Sequence, residues 1–210
     1  MINLEKKKLE KELFYDDTMV LKYYIEYPVI DSSLYKIDKF NDYNESNALK
    51  FRNFIENKLY SEAINFYKDL KSNNQPVRFY EIVRKVYYTF SRVKIVSLYL
   101  DSYIYTGGAH GETKRLSQTW NLVDGTMVEL CCFSNNCYFL TNIFKQILTQ
   151  IDENKVYYFD NPCKLILDNF KPENYYLDSN GNIIIFFNQY DIAPYSTGIP
   201  TFSIKTNISK

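Results

Sequence analysis

The sequence predicts an α+β fold, built from antiparallel sheets rich in hairpins with two main helices packed on one side. Three observations predict it. Strand-like alternation recurs in runs broken by turn residues. Two segments carry a single apolar stripe at helical spacing. Most strands follow one another through short turns instead of alternating with helices.

Residues 1–17 read as an N-terminal extension. From Thr18 to Tyr27 the chain alternates: Met19, Leu21, Tyr23, Ile25 and Tyr27 share one face, and Lys22 and Glu26 share the other. Pro28 is expected to close this strand. Ala48, Phe51, Ile55, Leu59, Ala63, Phe66 and Leu70 then recur at spacings of three and four, with Asn44 or Ser46 as the expected cap. Ser72-Asn73-Asn74-Gln75-Pro76 ends that helix.

Val77 to Phe90 and Val93 to Thr106 read as two long strands joined near Ser91-Arg92, with Val96, Leu98, Leu100 and Ile104 on one face of the second. A return strand follows from Glu112 to Leu122, with Leu116, Trp120 and Leu122 on one face. Asp124-Gly125 marks a tight turn before Thr126 to Leu130. A helix over 136–152 places Cys137, Leu140, Phe144, Ile147, Leu148 and Ile151 on its apolar stripe. Asn161-Pro162 looks like a cap and first helical residue opening a short helix. Tyr175 to Leu177 and Asn182 to Phe187 flank Asp178-Ser179-Asn180-Gly181, a hairpin, and Ile199 to Ile204 is a final strand. Residues 18–76 thus form a strand-helix region and 77–210 a sheet-plus-helix region, read together as one compact unit.

Twenty-five basic residues balance twenty-five acidic ones, so no cationic field favours nucleic acid. Aromatic residues are abundant, and tyrosine combines apolar area with a hydroxyl, which suits a contact surface. No stretch approaches the length of a membrane span. The first ten residues lack the apolar centre of a signal peptide, so a cytoplasmic chain is the expectation. Four cysteines, Cys131, Cys132, Cys137 and Cys163, are too few for a disulfide scaffold in a chain this long and are expected to be thiols.

Chemistry concentrates at Tyr105-Thr106-Gly107-Gly108-Ala109-His110-Gly111, which carries the sole histidine of the sequence. It is no phosphate loop, because Gly111 is followed by Glu112-Thr113 and not by Lys-Ser/Thr, and it opens a strand, not a helix. His110-Gly111-Glu112 matches half of a zinc deaminase pattern, and Pro162-Cys163 begins the other half, but Ile166 stands where the second cysteine belongs. No metal or cofactor is expected. No Gly-x-Ser-x-Gly elbow is present. Glycan hydrolysis by carboxylates stays open, since two acids can converge from distant positions.

The plainer reading is that Gly107, Gly108 and Gly111 let the backbone turn tightly while His110 pins it through a carbonyl. Tyr105, His110 and Glu112 are candidate contact residues at that turn. A second unusual segment, Tyr190-Asp191-Ile192-Ala193-Pro194-Tyr195-Ser196-Thr197-Gly198, is broken by Pro194 and Gly198. There Tyr190, Asp191 and Tyr195 are candidate binding residues.

Taken together, these two segments resemble the bacterial DUF3298 domain, which carries a Tyr-Thr-Gly-Gly-Ala-His-Gly motif and a Tyr-Glu-Ile-Ala-Pro-Tyr-Ala-x-Gly segment. Trp120 to Leu130 also fits, and the region from Tyr23-Tyr24-Ile25-Glu26-Tyr27-Pro28 through the long helix is similar to DUF4163. Asp191 and Ser196 depart from the usual Glu and Ala, and Cys131-Cys132 stands where an acidic residue and leucine are usual. The resemblance implies an extracytoplasmic, non-enzymatic binding module, of the kind found in anti-sigma-V-type proteins that sense lysozyme and beside peptidoglycan deacetylases. A protein or cell-wall glycan is the implied ligand. An enzyme acting on cell-wall glycan, through His110, Glu112 and Asp191, and a cytoplasmic interaction domain are the alternatives.

Overall fold

The computed structural model describes residues 3–31, 36–92, 94–134 and 136–205. Strands β1 (Asn3–Tyr15), β2 (Thr18–Asp31), β3 (Tyr80–Arg92), β4 (Ile95–Tyr105), β5 (Glu112–Asn121) and β6 (Thr126–Met127) hydrogen-bond in that order, and β7 (Tyr175–Leu177), β8 (Ile183–Phe186) and β9 (Thr201–Ile204) form a second sheet. Helices α1 (Ile37–Phe54) and α2 (Tyr60–Ser72) are joined by a π-helical turn over Ile55–Leu59, and α3 (Phe139–Asp152) and α4 (Pro162–Asn169) follow β6. The α+β class expected from the sequence is the class observed. The chain divides into two compact units, Met1–Val86 with Leu100–Thr113, and Tyr87–Tyr99 with Lys114–Lys210.

In the first unit, residues 3–15, read from sequence only as part of an extension, form β1 antiparallel to β2. The turn between them is two residues, Asp16 and Asp17, both in the left-handed region at φ 47° and 57°. Two positive φ values match the right-handed twist of a hairpin, and aspartate tolerates them by local hydrogen bonding. β1 is rich in lysine and glutamate, which blunts an edge strand against pairing with other chains. The β2–β3 pair is parallel, from Leu21↔Tyr80 to Ile25↔Arg84, so the joined helices serve as a crossover within an otherwise hairpin-rich chain.

Pro28 does not close β2; the strand runs to Asp31, with Pro28 opposite Lys6. The β3 ladder on the other side of β2 has ended by then, at Ile25, so a missing N–H breaks no bond there. Instead of a ladder, the Glu26 carboxylate accepts the Val86 N–H at 2.9 Å. α1 begins well before Asn44, which lies buried inside it and donates its side-chain amide to the Phe40 carbonyl at 2.8 Å, so it caps nothing. Ala48, Ile55, Leu59, Ala63 and Tyr67 bury against Leu21, Tyr23, Ile25 and Ile82. Arg84 is buried on this face too. Its Nε donates to Ser102 Oγ at 2.9 Å, its guanidinium stacks 3.7 Å from the Phe51 ring, and burial draws its pKa down to about 10.

In the second unit, α3 buries Phe139, Ile143, Ile147 and Ile151 against Leu177, Ile183, Ile185, Phe202 and Ile204. The stripe is rotated from the one expected: Leu140 is 46% exposed and Cys137 is also exposed. Leu116, expected inward with Trp120, is exposed, while Gln118 and Trp120 are buried, with the indole N–H donating to Gln118 Oε1 at 2.5 Å. Asn161 opens α4 from the left-handed region, φ 60°, and makes no side-chain cap. The β7–β8 hairpin and β9 stand close to where the sequence placed them. Asp178 shapes the hairpin turn by accepting the N–H groups of Asn180 and Asn182 at 2.9 Å each.

Candidate functional site

The glycine turn leaves the end of β4 at Tyr105 and re-enters at β5, within the first unit. Gly107 has φ +84°, and a Cβ on it would lie 2.3 Å from Phe66 Cε1 on α2. A Cβ on Gly111 would lie 2.4 Å from the Tyr103 ring, whereas one on Gly108 meets nothing closer than 3.9 Å. Two of the three glycines are therefore set by close approach, and Gly108 is not. His110 is exposed, and its Nδ1 lies 3.1 Å from the carbonyl oxygen of the adjacent Gly111. Tyr105 is half-buried and Glu112 is exposed at the start of β5.

The C-terminal segment belongs to the second unit and is held at both ends. Asn188 Oδ1 accepts the Arg115 N–H at 2.7 Å, so an amide side chain extends the pairing of β5. Asp191 Oδ2 accepts the Asn188 N–H at 2.8 Å, closing a turn that carries Tyr190 at φ 67°. Burial pushes the Asp191 carboxyl up, against the Asn188 N–H and the nearby Lys171 and Lys114. The Asp191 carbonyl receives Asn169 Nδ2 at 3.0 Å, and the Ile192 carbonyl receives the Phe159 N–H at 3.1 Å. Pro194 is half-buried and leads into a single 3₁₀ turn ending at Gly198, φ +75°, where a Cβ would meet nothing within 4 Å. Tyr190 is 51% exposed, and its ring centroid lies 6.0 Å from that of Tyr195.

Tyr105, His110 and Glu112 thus sit in one unit and Tyr190, Asp191 and Tyr195 in the other. Asp191 is half-buried and engaged in the turn that presents Tyr190. All four cysteines are free and exposed. Among the described residues, no three His, Cys, Asp or Glu side chains group as metal ligands, and no helix is long and apolar enough to cross a membrane.

Sequence reasoning missed a cavity of about 710 Å³ in the second unit, walled by Met127, Val128, Leu130, Phe139, Leu140 and Tyr175. Tyr175 fixes one wall: its hydroxyl donates to the Val128 carbonyl, and burial pushes its pKa up to about 12. The available signal was the surplus of apolar residues in α3, more than one stripe can bury.

Residues 15–113 match the family model described as deacetylase PdaC, and residues 133–207 match the model for DUF3298, a protein family of unknown function. The glycine turn falls in the first match and the Tyr190–Gly198 segment in the second. The fold is the one solved for two proteins of the DUF3298 family. A member from Bacteroides fragilis superposes with TM-score 0.69 at 17% identity, covering 97% of this chain and 90% of that one. A family protein from Pseudomonas aeruginosa gives TM-score 0.57 at 17% identity, covering 96% and 90%. No curated protein matches the sequence. The DUF3298 match agrees with the family read from the Tyr190–Gly198 segment, whereas the glycine turn, read from sequence as a DUF3298 motif, lies in the PdaC match.

Proposed function

We propose that the chain is a non-enzymatic recognition module of a bacterial envelope system that binds a protein, lysozyme-like in the first instance, through the Tyr190–Gly198 turn. The observation that carries this reading is the state of Asp191. Its carboxylate closes the turn by accepting the Asn188 N–H, and that turn presents the exposed Tyr190 beside Tyr195. A rigid tyrosine pair is an efficient protein anchor, since it contributes large area at little entropic cost. The His110 ring is engaged with the next carbonyl, which suits a turn better than a general base.

Isothermal titration of the full chain with lysozymes, and with muropeptides as the glycan arm, tests the reading. Binding of a lysozyme that weakens at least tenfold in Tyr190→Ala supports it. Heat with muropeptides alone transfers the site to glycan, and hydrolysis of either muropeptide or peptidoglycan overturns the non-enzymatic reading. Absence of heat with every probe refutes the proposal.

A further inference from the structure

We infer that the cavity of the second unit is a separate anchoring site, which takes a large apolar side chain from a protein segment flanked by lysine or arginine. The inference rests on the recognition reading above but uses other residues. The cavity is about 710 Å³, within the roughly 300–1,000 Å³ range of ligand pockets. Its exposed lining is mostly apolar, edged by polar groups such as Gln118, Ser134 and Asn136, and Met127 and Leu140 on it are 41% and 46% exposed. Large apolar groups kept in contact with water around a concave surface are the mark of a binding site.

Charge selects the occupant. The charged residues lining the cavity are both acidic, Glu129 and Glu173, and no lysine, arginine or histidine lines it. Neither carboxylate has a cationic partner among the described residues; Glu129 Oε2 accepts the Cys131 thiol at 3.5 Å. An apolar pocket with two unpaired carboxylates at its edge favours an apolar anchor next to positive charge and repels the same anchor next to glutamate.

Two of the free thiols make the site readable. Cys131 and Cys137 line the cavity, while Cys163 lies on α4, outside that lining. The full chain is alkylated with N-ethylmaleimide, and the rate at each cysteine is followed by peptide mass spectrometry. The probes are two capped hexapeptides, Lys-Lys-Phe-Leu-Lys-Lys and Glu-Glu-Phe-Leu-Glu-Glu.

The basic peptide at saturation is expected to slow Cys131 and Cys137 severalfold and leave Cys163 unchanged. The acidic peptide should protect none of them. Glu129→Gln with Glu173→Gln should weaken the basic peptide roughly fivefold, as expected for two exposed charge pairs. Equal protection by both peptides, protection of Cys163 to the same degree, or no protection overturns the inference. Labelling rates that fall with protein concentration alone would assign the cavity to a second copy of the chain, and also overturn it. A lysozyme that binds by calorimetry yet leaves Cys131 and Cys137 rates unaltered removes this site while leaving the Tyr190 turn standing.

Discussion

The Phe66 ring fills the space that a side chain on Gly107 would need, with Phe66 Cε1 2.3 Å from where the Cβ would stand. Phe66 cannot swing away freely, because its ring packs 5.8 Å from Tyr80 and under the Arg78 guanidinium at 5.6 Å. The positive φ of Gly107 adds a backbone penalty for any other residue. Gly107→Ala should therefore lower stability by about 2–4 kcal/mol, combining strain with overpacking. In a Phe66→Ala background the same change should cost at least about 1 kcal/mol less. Urea unfolding of the four proteins measures this, and strict additivity would contradict the contact.

Asp191 gives a prediction of opposite sign for two similar substitutions. Burial raises its folded-state pKa, so the folded protein holds the proton more tightly than the unfolded chain. The ionised carboxylate is then a cost at neutral pH, and stability from this group rises as pH falls through the folded value. Asparagine retains an acceptor for the Asn188 N–H and removes the charge. Asp191→Asn should be neutral or slightly stabilising at pH 7, with its advantage fading as pH enters the carboxylate range. Asp191→Ala should lose about 1 kcal/mol, because the Asn188 N–H loses its partner. Thermal unfolding across pH checks both, and a uniform loss in Asp191→Asn would count against the assigned role.

What could be read from sequence follows from how local the cause is. The β7–β8 hairpin was legible because Asp178 and Gly181 make their turn with their own backbone, at φ +88° for Gly181. β1 was not, because its lysines and glutamates have weak strand preference and it is held by its ladder to β2. The parallel β2–β3 pairing is a tertiary outcome that leaves no mark in either strand. In α3, Leu140 and Phe144 form one plausible stripe and Phe139 and Ile143 another, and only the partner sheet chooses between them.

The candidate site divides the same way. Both irregular turns were visible, since glycine and proline announce them. That Asp191 closes a turn, and that Asn188 reaches back to Arg115 across 73 positions, could not be read locally. The cavity is assembled from β5, β6, residues of 128–134 and 136–140, and Pro172, Glu173 and Tyr175, so no window of sequence contains it.

Glu26 should govern acid sensitivity in the first unit. Burial alone would push its carboxyl up, but the Val86 N–H at 2.9 Å, Lys85 at 3.3 Å and Lys6 at 3.3 Å together hold it below the ordinary glutamate value. A depressed folded pKa means that the contribution is complete above the unfolded value and is lost as pH falls through the folded one. Glu26→Gln should cost about 1–2 kcal/mol at pH 7 and progressively less below about pH 4. A constant difference from wild type over that range, by chemical denaturation at several pH values, would refute the linkage.

Ser97 is fully buried on β4, and its hydroxyl ties three strands of the second unit. Ser97 Oγ accepts the Leu177 N–H of β7 at 2.9 Å and shares a hydrogen bond with Thr119 Oγ1 of β5 at 2.8 Å. The hydroxyl has two lone pairs and one proton, so it can accept from the amide and donate to threonine at once. Ser97→Ala changes the packing little but strands the Leu177 N–H on a buried residue whose β8 partner, Ile183, is buried too. An unpaired buried donor costs about 1–3 kcal/mol, so stability should fall by that amount and hydrogen exchange at the Leu177 amide should accelerate about ten- to a hundredfold. Stability that falls while Leu177 keeps its protection would mean that another acceptor has replaced the hydroxyl, and that the tie between β4 and β7 is not where the structure puts it.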